Sequence, residues 1–213
     1  NPPKPSDRLM PEFNTIAFLL LVALLVLWNL DFAATLLNLG SLKAELPEEF
    51  IDVYNPEKYS ESQEYTRATS RFGIISAIAS LTILLAFWFL GGFAWWDSWT
   101  RDLGIGAVTT GLFYVFGLLL GNYILNLPFT IYSTFVLEER FGFNKTSRST
   151  FALDQLKSIL LTTLIGAPLL AGILLIFQNP DAWFWAWLTF TAFILAITYL
   201  APSLIMPLFN KFE

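Results

Sequence analysis

Five apolar runs, separated by polar segments, dominate the pattern of this sequence. A run of about 18 or more apolar residues is long enough to cross the hydrocarbon core of a bilayer as a helix. The runs predict five membrane-spanning helices at about residues 13–39, 72–96, 104–127, 158–177 and 182–201. The pattern therefore predicts an all-α, polytopic membrane protein in which residues 1–213 form a single transmembrane helical domain.

The third run is longer than one membrane crossing, because uncharged residues continue from Leu103 to Leu137. As one helix, this stretch would exceed a hydrocarbon core of roughly 30 Å. Proline lacks a backbone donor and disfavours helix at the preceding residue. We therefore expect the membrane helix to end at Pro128. Within it, Gly117 and Gly121 are four residues apart and predict the close approach of a neighbouring helix.

The polar segment before the second span carries the signals of a helix start. Asn55 is a favoured capping residue, Pro56 suits the first helical position, and Glu57 suits the positive end of the helix dipole. Tyr65 and Phe72 continue the helical spacing towards the span. The second helix is therefore predicted to extend far out of the membrane, into the cytoplasm.

Composition narrows the possible functions. Hydrophobic residues make up 55% of the chain and charged residues 14%, with a formal net charge of -5. These values exclude a soluble enzyme, and the lack of a basic surface excludes a nucleic-acid partner. The sequence contains no His and no Cys, which removes the usual zinc ligands and the Ser-His-Asp triad. We predict no catalytic residue and no metal ligand among these residues.

Lys and Arg are distributed unevenly between the two sides of the predicted membrane. Three of the 12 share the side of the N-terminus: Lys4, Arg8 and Arg101. The remainder lie on the opposite side: Lys43, Lys58, Arg67, Arg71, Arg140, Lys145, Arg148, Lys157 and Lys211. Because basic loops favour the cytoplasmic side, the N-terminus is predicted outside and the C-terminus in the cytoplasm. We expect this membrane to be a bacterial inner membrane.

Polar residues within the spans are the first candidates for a site. Asp31 is the only charged residue well inside a span, where an unpaired carboxylate costs at least about 2.5 kcal/mol. It either belongs to a proton or ion relay, or lies near the cytoplasmic end of the span, paired or hydrated. Asn122 and Asn126 share one helix face and either line a polar chamber or form interhelical hydrogen bonds.

Two polar segments carry a more specific pattern. One combines Leu46-Pro47-Glu48-Glu49-Phe50 with residues 59–67 and Arg71-Phe72-Gly73, and the other runs from Tyr132 to Asn144 and contains Glu-Glu-Arg-Phe-Gly-Phe-Asn. Both segments resemble loops of the CAAX prenyl protease 1 family, which are zinc metalloendopeptidases of the membrane. Residues 201–212 are similar to the segment that leads into that family's protease domain.

The resemblance implies a chamber enclosed by the spans. It also implies a His-Glu-x-x-His helix and a later Glu that bind zinc, which we expect after Glu213. This chain would form chamber wall and anchor for a cytoplasmic peptidase domain, with zinc and a peptide or prenylated-peptide substrate bound in the full-length parent. Four residues are candidates for contact with that domain, or simply form a solvated charged loop with a turn at Gly142: Glu138, Glu139, Arg140 and Asn144. Asp31, Asn122 and Asn126 would line the chamber.

Two other functions stay open from the sequence. The chain could be a stand-alone, non-catalytic membrane scaffold that binds a protein or lipid, or a small transporter that uses Asp31, Asn122 and Asn126. Transporters often show inverted repeats or paired broken helices, and no such repeat is visible in the sequence. A His-Glu-x-x-His in frame after Glu213 would identify the protease, whereas a stop codon there would favour the scaffold.

Overall fold

The computed structural model describes residues 14–43, 46, 55–178, 182–202 and 207. Within them the chain forms helices and no strand. The helices are α1 (Thr15–Ser41), α2 (Pro56–Phe89), α3 (Gly92–Asp102), α4 (Ala107–Tyr132), a π-helical segment (Ser133–Glu138), α5 (Arg148–Ile176) and α6 (Trp183–Leu200). Five are long and apolar enough to cross a membrane: α1, α2, α4 together with the π segment, α5 and α6. The predicted all-α, polytopic fold is confirmed.

Large apolar side chains are mostly exposed on these helices. Leu37, Leu164 and Leu195 are 76%, 75% and 65% exposed, whereas the buried apolar side chains among the described residues are Leu137, Ala182 and Ala186. Exposed apolar surface of this extent would not be stable in water and marks contact with lipid or with another membrane segment. The chain is therefore an integral membrane protein.

Helix α2 begins where its capping residues predict. The Asn55 Oδ1 atom accepts hydrogen bonds from the backbone N–H groups of Glu57 (2.9 Å) and Lys58 (3.2 Å). The helix has 34 residues, or roughly 51 Å at 1.5 Å per residue, which is longer than a core of about 30 Å. The long polar extension is thus confirmed. The helix ends at Phe89, before the predicted boundary, because Gly91 adopts a left-handed φ of 77°.

The prediction that Pro128 ends the third membrane helix is wrong. Helix α4 contains Pro128 and continues through Tyr132 into the π segment that ends at Glu138. Proline removes one backbone donor, whereas unwinding the chain in an apolar environment would leave several donors and acceptors unpaired. The helix therefore continues past proline, and the change from α to π geometry follows one turn later.

The chain divides into two compact units, of which the first comprises Asn1–Ser98 and Leu120–Lys145. In this unit α1 packs against α2, and α2 packs against the π segment. The Phe72 ring of α2 lies beside Phe129 and Tyr132, with centroid distances of 6.2 and 4.8 Å. Aromatic contacts thus join the second helix to the end of α4.

The second unit comprises Trp99–Leu119 and Thr146–Glu213, and in it α5 packs against α6. A Cβ atom placed on Gly111 would lie 2.7 Å from Leu174 Cδ1, and one placed on Gly166 would lie 3.5 Å from Phe116 Cζ. Small residues therefore allow the first half of α4 to approach α5 closely. Close approach was predicted at Gly117 and Gly121, but Gly121 has no such neighbour within the described residues.

Candidate functional site

Residues Glu138 to Asn144 form the end of the helix that starts as α4. Gly142 has a φ of 71°, and its N–H donates to the Glu139 carbonyl oxygen at 3.1 Å. The N–H groups of Phe143 and Asn144 donate to the Glu138 carbonyl oxygen at 2.9 and 3.2 Å. The Gly142 and Phe143 bonds form a Schellman cap, in which a left-handed residue lets the last carbonyls find partners. The turn is therefore a helix cap.

Side chains of the same segment are in contact with one another. The Asn144 side-chain Nδ2 donates to Glu139 Oε2 at 2.8 Å. The Arg140 guanidinium carbon lies 5.4 Å from the centroid of the Phe141 ring, within the range of a cation–π contact. Two of the four sequence candidates, Glu139 and Asn144, are thus brought into direct contact, and a third, Arg140, is held beside its neighbour. We call residues 138–144 the capped loop.

The capped loop packs on the polar extension of α2 through one tyrosine. The Tyr65 ring lies 5.4 Å from Phe141 and 4.7 Å from Phe143, in edge-to-face arrangements at interplanar angles of 74° and 65°. Each such pair contributes about 0.5–1.5 kcal/mol beyond its buried area. Sequence reasoning gave Tyr65 no role at this site. The signal that could have indicated this contact is an aromatic residue on the polar extension of α2.

The two asparagines of α4 are also in contact. Asn126 Nδ2 donates to the Asn122 carbonyl oxygen at 2.8 Å and to Asn122 Oδ1 at 3.0 Å. From α2, the Ser80 hydroxyl donates to Asn126 Oδ1 at 3.3 Å. This geometry favours the interpretation that the asparagines join helices by hydrogen bonds. Ser80 was missed because a single hydroxyl in an apolar span has no distinctive pattern.

Asp31 lies at a different place in the first unit. It lines a cavity of about 260 Å³ between α1 and α2, together with Trp28, Phe32 and Thr35. The opposite wall is the part of α2 between Ser70 and Ala77. The structure does not bring Asp31 into hydrogen-bond contact with the two asparagines. Among the residues that the structure describes, its carboxylate has no hydrogen-bond partner and no ion-pair partner.

The family model described as "CAAX prenyl protease N-terminal, five membrane helices" matches residues 35–211. The chain belongs to this family. The match confirms the resemblance seen in the polar segments of the sequence, and the five membrane helices agree with it. The chain is thus an N-terminal membrane domain of the CAAX prenyl protease family.

Individual relatives agree with this assignment. CAAX prenyl protease 1 of Saccharomyces cerevisiae is 33% identical over 185 residues, which are 80% of this chain and 40% of that protein. A CAAX prenyl protease 1 homolog of Oryza sativa is 31% identical over 176 residues, or 78% of this chain and 41% of that protein. The crystal structure of S. mikatae Ste24p matches with a TM-score of 0.76 at 31% identity, and covers 89% of this chain and 46% of that one.

The chain spans less than half the length of these relatives. They come from eukaryotes, so they do not support the expectation of a bacterial inner membrane. Zinc, which the family resemblance implies, does not fit the residues present. No group of three or more His, Cys, Asp or Glu that could hold a metal occurs in the described part of the chain. The sequence also has no His and no Cys, the principal ligands of zinc sites.

Proposed function

We propose that this chain is the chamber wall and membrane anchor of a zinc metalloendopeptidase of the CAAX prenyl protease type. The observation that carries the proposal is the family match over residues 35–211, to relatives of which the chain spans about 40–46%. Because these residues contain no His and no Cys, the proposal places zinc binding and peptide hydrolysis in a part of the whole protein outside them. The five apolar helices would fix that part to the bilayer.

The capped loop is the proposed contact with the peptidase domain. Its backbone is held by the cap at Gly142, and its aromatic side chains pack on Tyr65, so its charges occupy fixed positions. The hydrogen bond from Asn144 to Glu139 and the ring contact of Arg140 hold those groups without help from another domain. A surface that is already ordered loses little conformational entropy on docking, which favours binding. Glu138 completes the proposed contact set.

The proposed substrate is a peptide or a prenylated peptide, as the names of the relatives suggest. Asn122 and Asn126 are proposed to face the chamber that receives it, whereas Asp31, the third sequence candidate, lines the cavity between α1 and α2. Asn122 is exposed and Asn126 is half-buried, which leaves polar surface available for water or substrate beside the hydrogen bond to Ser80. The lipid bilayer is the other partner of this domain.

Full-length protein and the 213-residue chain are expected to differ completely in peptidase activity. Full-length protein, expressed from the complete gene and reconstituted in vesicles, should cleave a prenylated CAAX peptide and lose that activity with a zinc chelator. The isolated chain should show no cleavage, because it has no His or Cys. Hydrolysis by the isolated chain would refute the assignment, and inactive full-length protein without a His-Glu-x-x-His would favour a scaffold.

We further propose that the polar extension of α2 and the capped loop face the cytoplasm, with the N-terminus outside. The support is the excess of Lys and Arg on that side, including Arg67, Arg140 and Lys145. Because the chain has no Cys, single cysteines can be labelled against an empty background. Ser98→Cys on α3 should react with an impermeant maleimide from outside, and Lys145→Cys only after permeabilisation. The reverse result would overturn the orientation.

The same labelling tests the proposed chamber lining. Asn122→Cys should react with a small water-soluble maleimide, since a chamber wall is in contact with water. Leu120→Cys, on the same helix and 50% exposed at an apolar position, is the matched control and should resist labelling. Equal labelling of the two variants would contradict a chamber-lining role for Asn122.

A further inference from the structure

The cavity between α1 and α2 is lined by mostly small residues on α2 and by mostly larger ones on α1. On α2, Gly73 and Ala77 are four residues apart and leave the facing surface open; an added Cβ at Gly73 would meet no atom within 4 Å. On α1, Trp28, Asp31 and Phe32 follow the i, i+3, i+4 spacing of one helix face. The volume of about 260 Å³ is several times the roughly 30 Å³ that one water occupies.

The chemistry of this cavity is that of a receptor for a cation. Asp31 is the only ionisable side chain among the described residues that line it. Beside it, the Trp28 and Phe32 rings stack at a centroid distance of 5.1 Å and an interplanar angle of 12°. The Thr35 hydroxyl donates to the Asp31 backbone carbonyl oxygen at 3.0 Å, and so leaves the carboxylate unengaged.

Nearby basic residues of the described chain do not neutralise Asp31. The Arg67 guanidinium donates to the Leu42 carbonyl oxygen at 3.2 Å, past the end of α1. Arg71 follows the lining residue Ser70 in sequence, and forms no ion pair with Asp31 within the described residues. The Asp31 side chain is exposed and has no ion-pair partner among the described residues, so a cation from outside the chain can reach it and pair with it.

The cavity lies where α2 enters the hydrocarbon. Arg71 is the last charged residue of α2, and the uncharged remainder from Phe72 to Phe89 is about 27 Å long at 1.5 Å per residue. That length matches a hydrocarbon core of roughly 30 Å. Ser70 and Gly73 are therefore at the level of the lipid headgroups, and the cavity is accessible to them.

We propose that this cavity binds an ammonium group, which Asp31 pairs with and the Trp28 and Phe32 rings contact through cation–π interaction. Two sources carry this chemistry at the membrane surface: the headgroup of phosphatidylethanolamine and a free soluble amine. The site is separate from the capped loop and does not depend on peptidase activity. It would make the packing of α1 on α2 sensitive to the lipid headgroups around the protein.

Lipid retention by the whole chain tests this site. The protein is reconstituted in nanodiscs with equal amounts of dioleoyl phosphatidylethanolamine and dioleoyl phosphatidylglycerol, and retained lipids are counted by native mass spectrometry. An ion pair together with a cation–π contact should favour phosphatidylethanolamine by about tenfold. Asp31→Asn should bring the ratio close to one, and Asp31→Glu should restore part of the preference.

Two further variants test whether the lipid preference depends on this cavity or only on the charge of the protein. Ala77→Leu keeps the charge but fills the cavity, and should also abolish the preference; it decides the question if Asp31→Asn does not fold. Asp154→Asn removes a carboxylate outside the cavity, one that pairs with Lys157 at 3.1 Å, and should leave the ratio unchanged. Equal retention of both lipids by wild-type protein, or an undiminished preference in Asp31→Asn or Ala77→Leu, would overturn the proposal.

Millimolar ethanolamine distinguishes the two sources of the ammonium group. If it displaces phosphatidylethanolamine from wild-type protein, the ammonium group alone is sufficient for binding. If the lipid stays bound, the phosphate or acyl chains contribute, and the ligand is the whole lipid. In both cases, the ammonium site is supported if Asp31→Asn no longer prefers phosphatidylethanolamine.

Discussion

Replacing Leu137 by alanine is expected to lower the free energy of unfolding by about 2–5 kcal/mol. Leu137 is 7% exposed and is the buried apolar residue of the π segment, which packs against α2. Alanine would remove apolar contacts of this buried side chain and leave a cavity in its place. The measurement is thermal unfolding in a fixed detergent, followed by circular dichroism. The midpoint should fall by about 2–4 °C per kcal/mol for a chain of this size.

Val136→Ala is the matched control for this prediction. Val136 is the preceding residue in the same π segment, but it is 46% exposed. Truncating it removes less buried surface, so its effect should be within about 1 kcal/mol of wild type. Equal losses in the two variants would show that the burial of Leu137 contributes little, and would contradict the prediction.

Replacing Gly142 by valine is expected to cost at least about 1–2 kcal/mol, the penalty of a left-handed conformation for an L-residue. Gly142 has a φ of 71°, and valine is additionally stiff at its branched Cβ. The cap should therefore open, and the amides of Phe143 and Asn144 should lose their bonds to Glu138. Hydrogen exchange of these two amides is the direct measurement, with thermal unfolding as the global one.

Gly142→Asn separates backbone conformation from simple loss of glycine. Asparagine adopts the left-handed region more readily than other L-residues, so this variant should retain most of the exchange protection. Full-length protein carrying Gly142→Val should also lose peptidase activity if the capped loop contacts the peptidase domain. Unchanged exchange in Gly142→Val would show that the positive φ is not needed for the cap.

The predictions that were confirmed depend on interactions between residues close in sequence. The Asn55 cap bonds to amides two and three residues away, and the length of an apolar run is a property of the run itself. Gly142 was expected at a turn, and it takes the left-handed conformation there. By contrast, Pro128 has a local preference to end a helix, but the apolar surroundings make continued backbone pairing more favourable.

The candidate sites could be predicted only in part. Asn122 and Asn126 share a face because of their spacing, yet their partner Ser80 lies on another helix. The capped loop was singled out as a sequence block, but its contact with Tyr65 depends on how α2 packs beside it. Asp31 was a candidate because a charge is rare in a span, and Trp28 and Phe32 share its helix face by their spacing, while the open space beside it follows from the pairing of α1 and α2.

By itself, the sequence determined that this protein is helical, crosses a membrane with five helices and contains no His or Cys ligand for zinc. These properties depend on run length and composition, to which every residue contributes independently. Only the tertiary structure decided that α4 passes through Pro128, that the close glycine contacts occur at Gly111 and Gly166, and that Asp31 lines a cavity. Such features arise from contacts between residues distant in sequence, and in a uniformly apolar helix no pattern indicates which face meets a neighbour and which meets lipid.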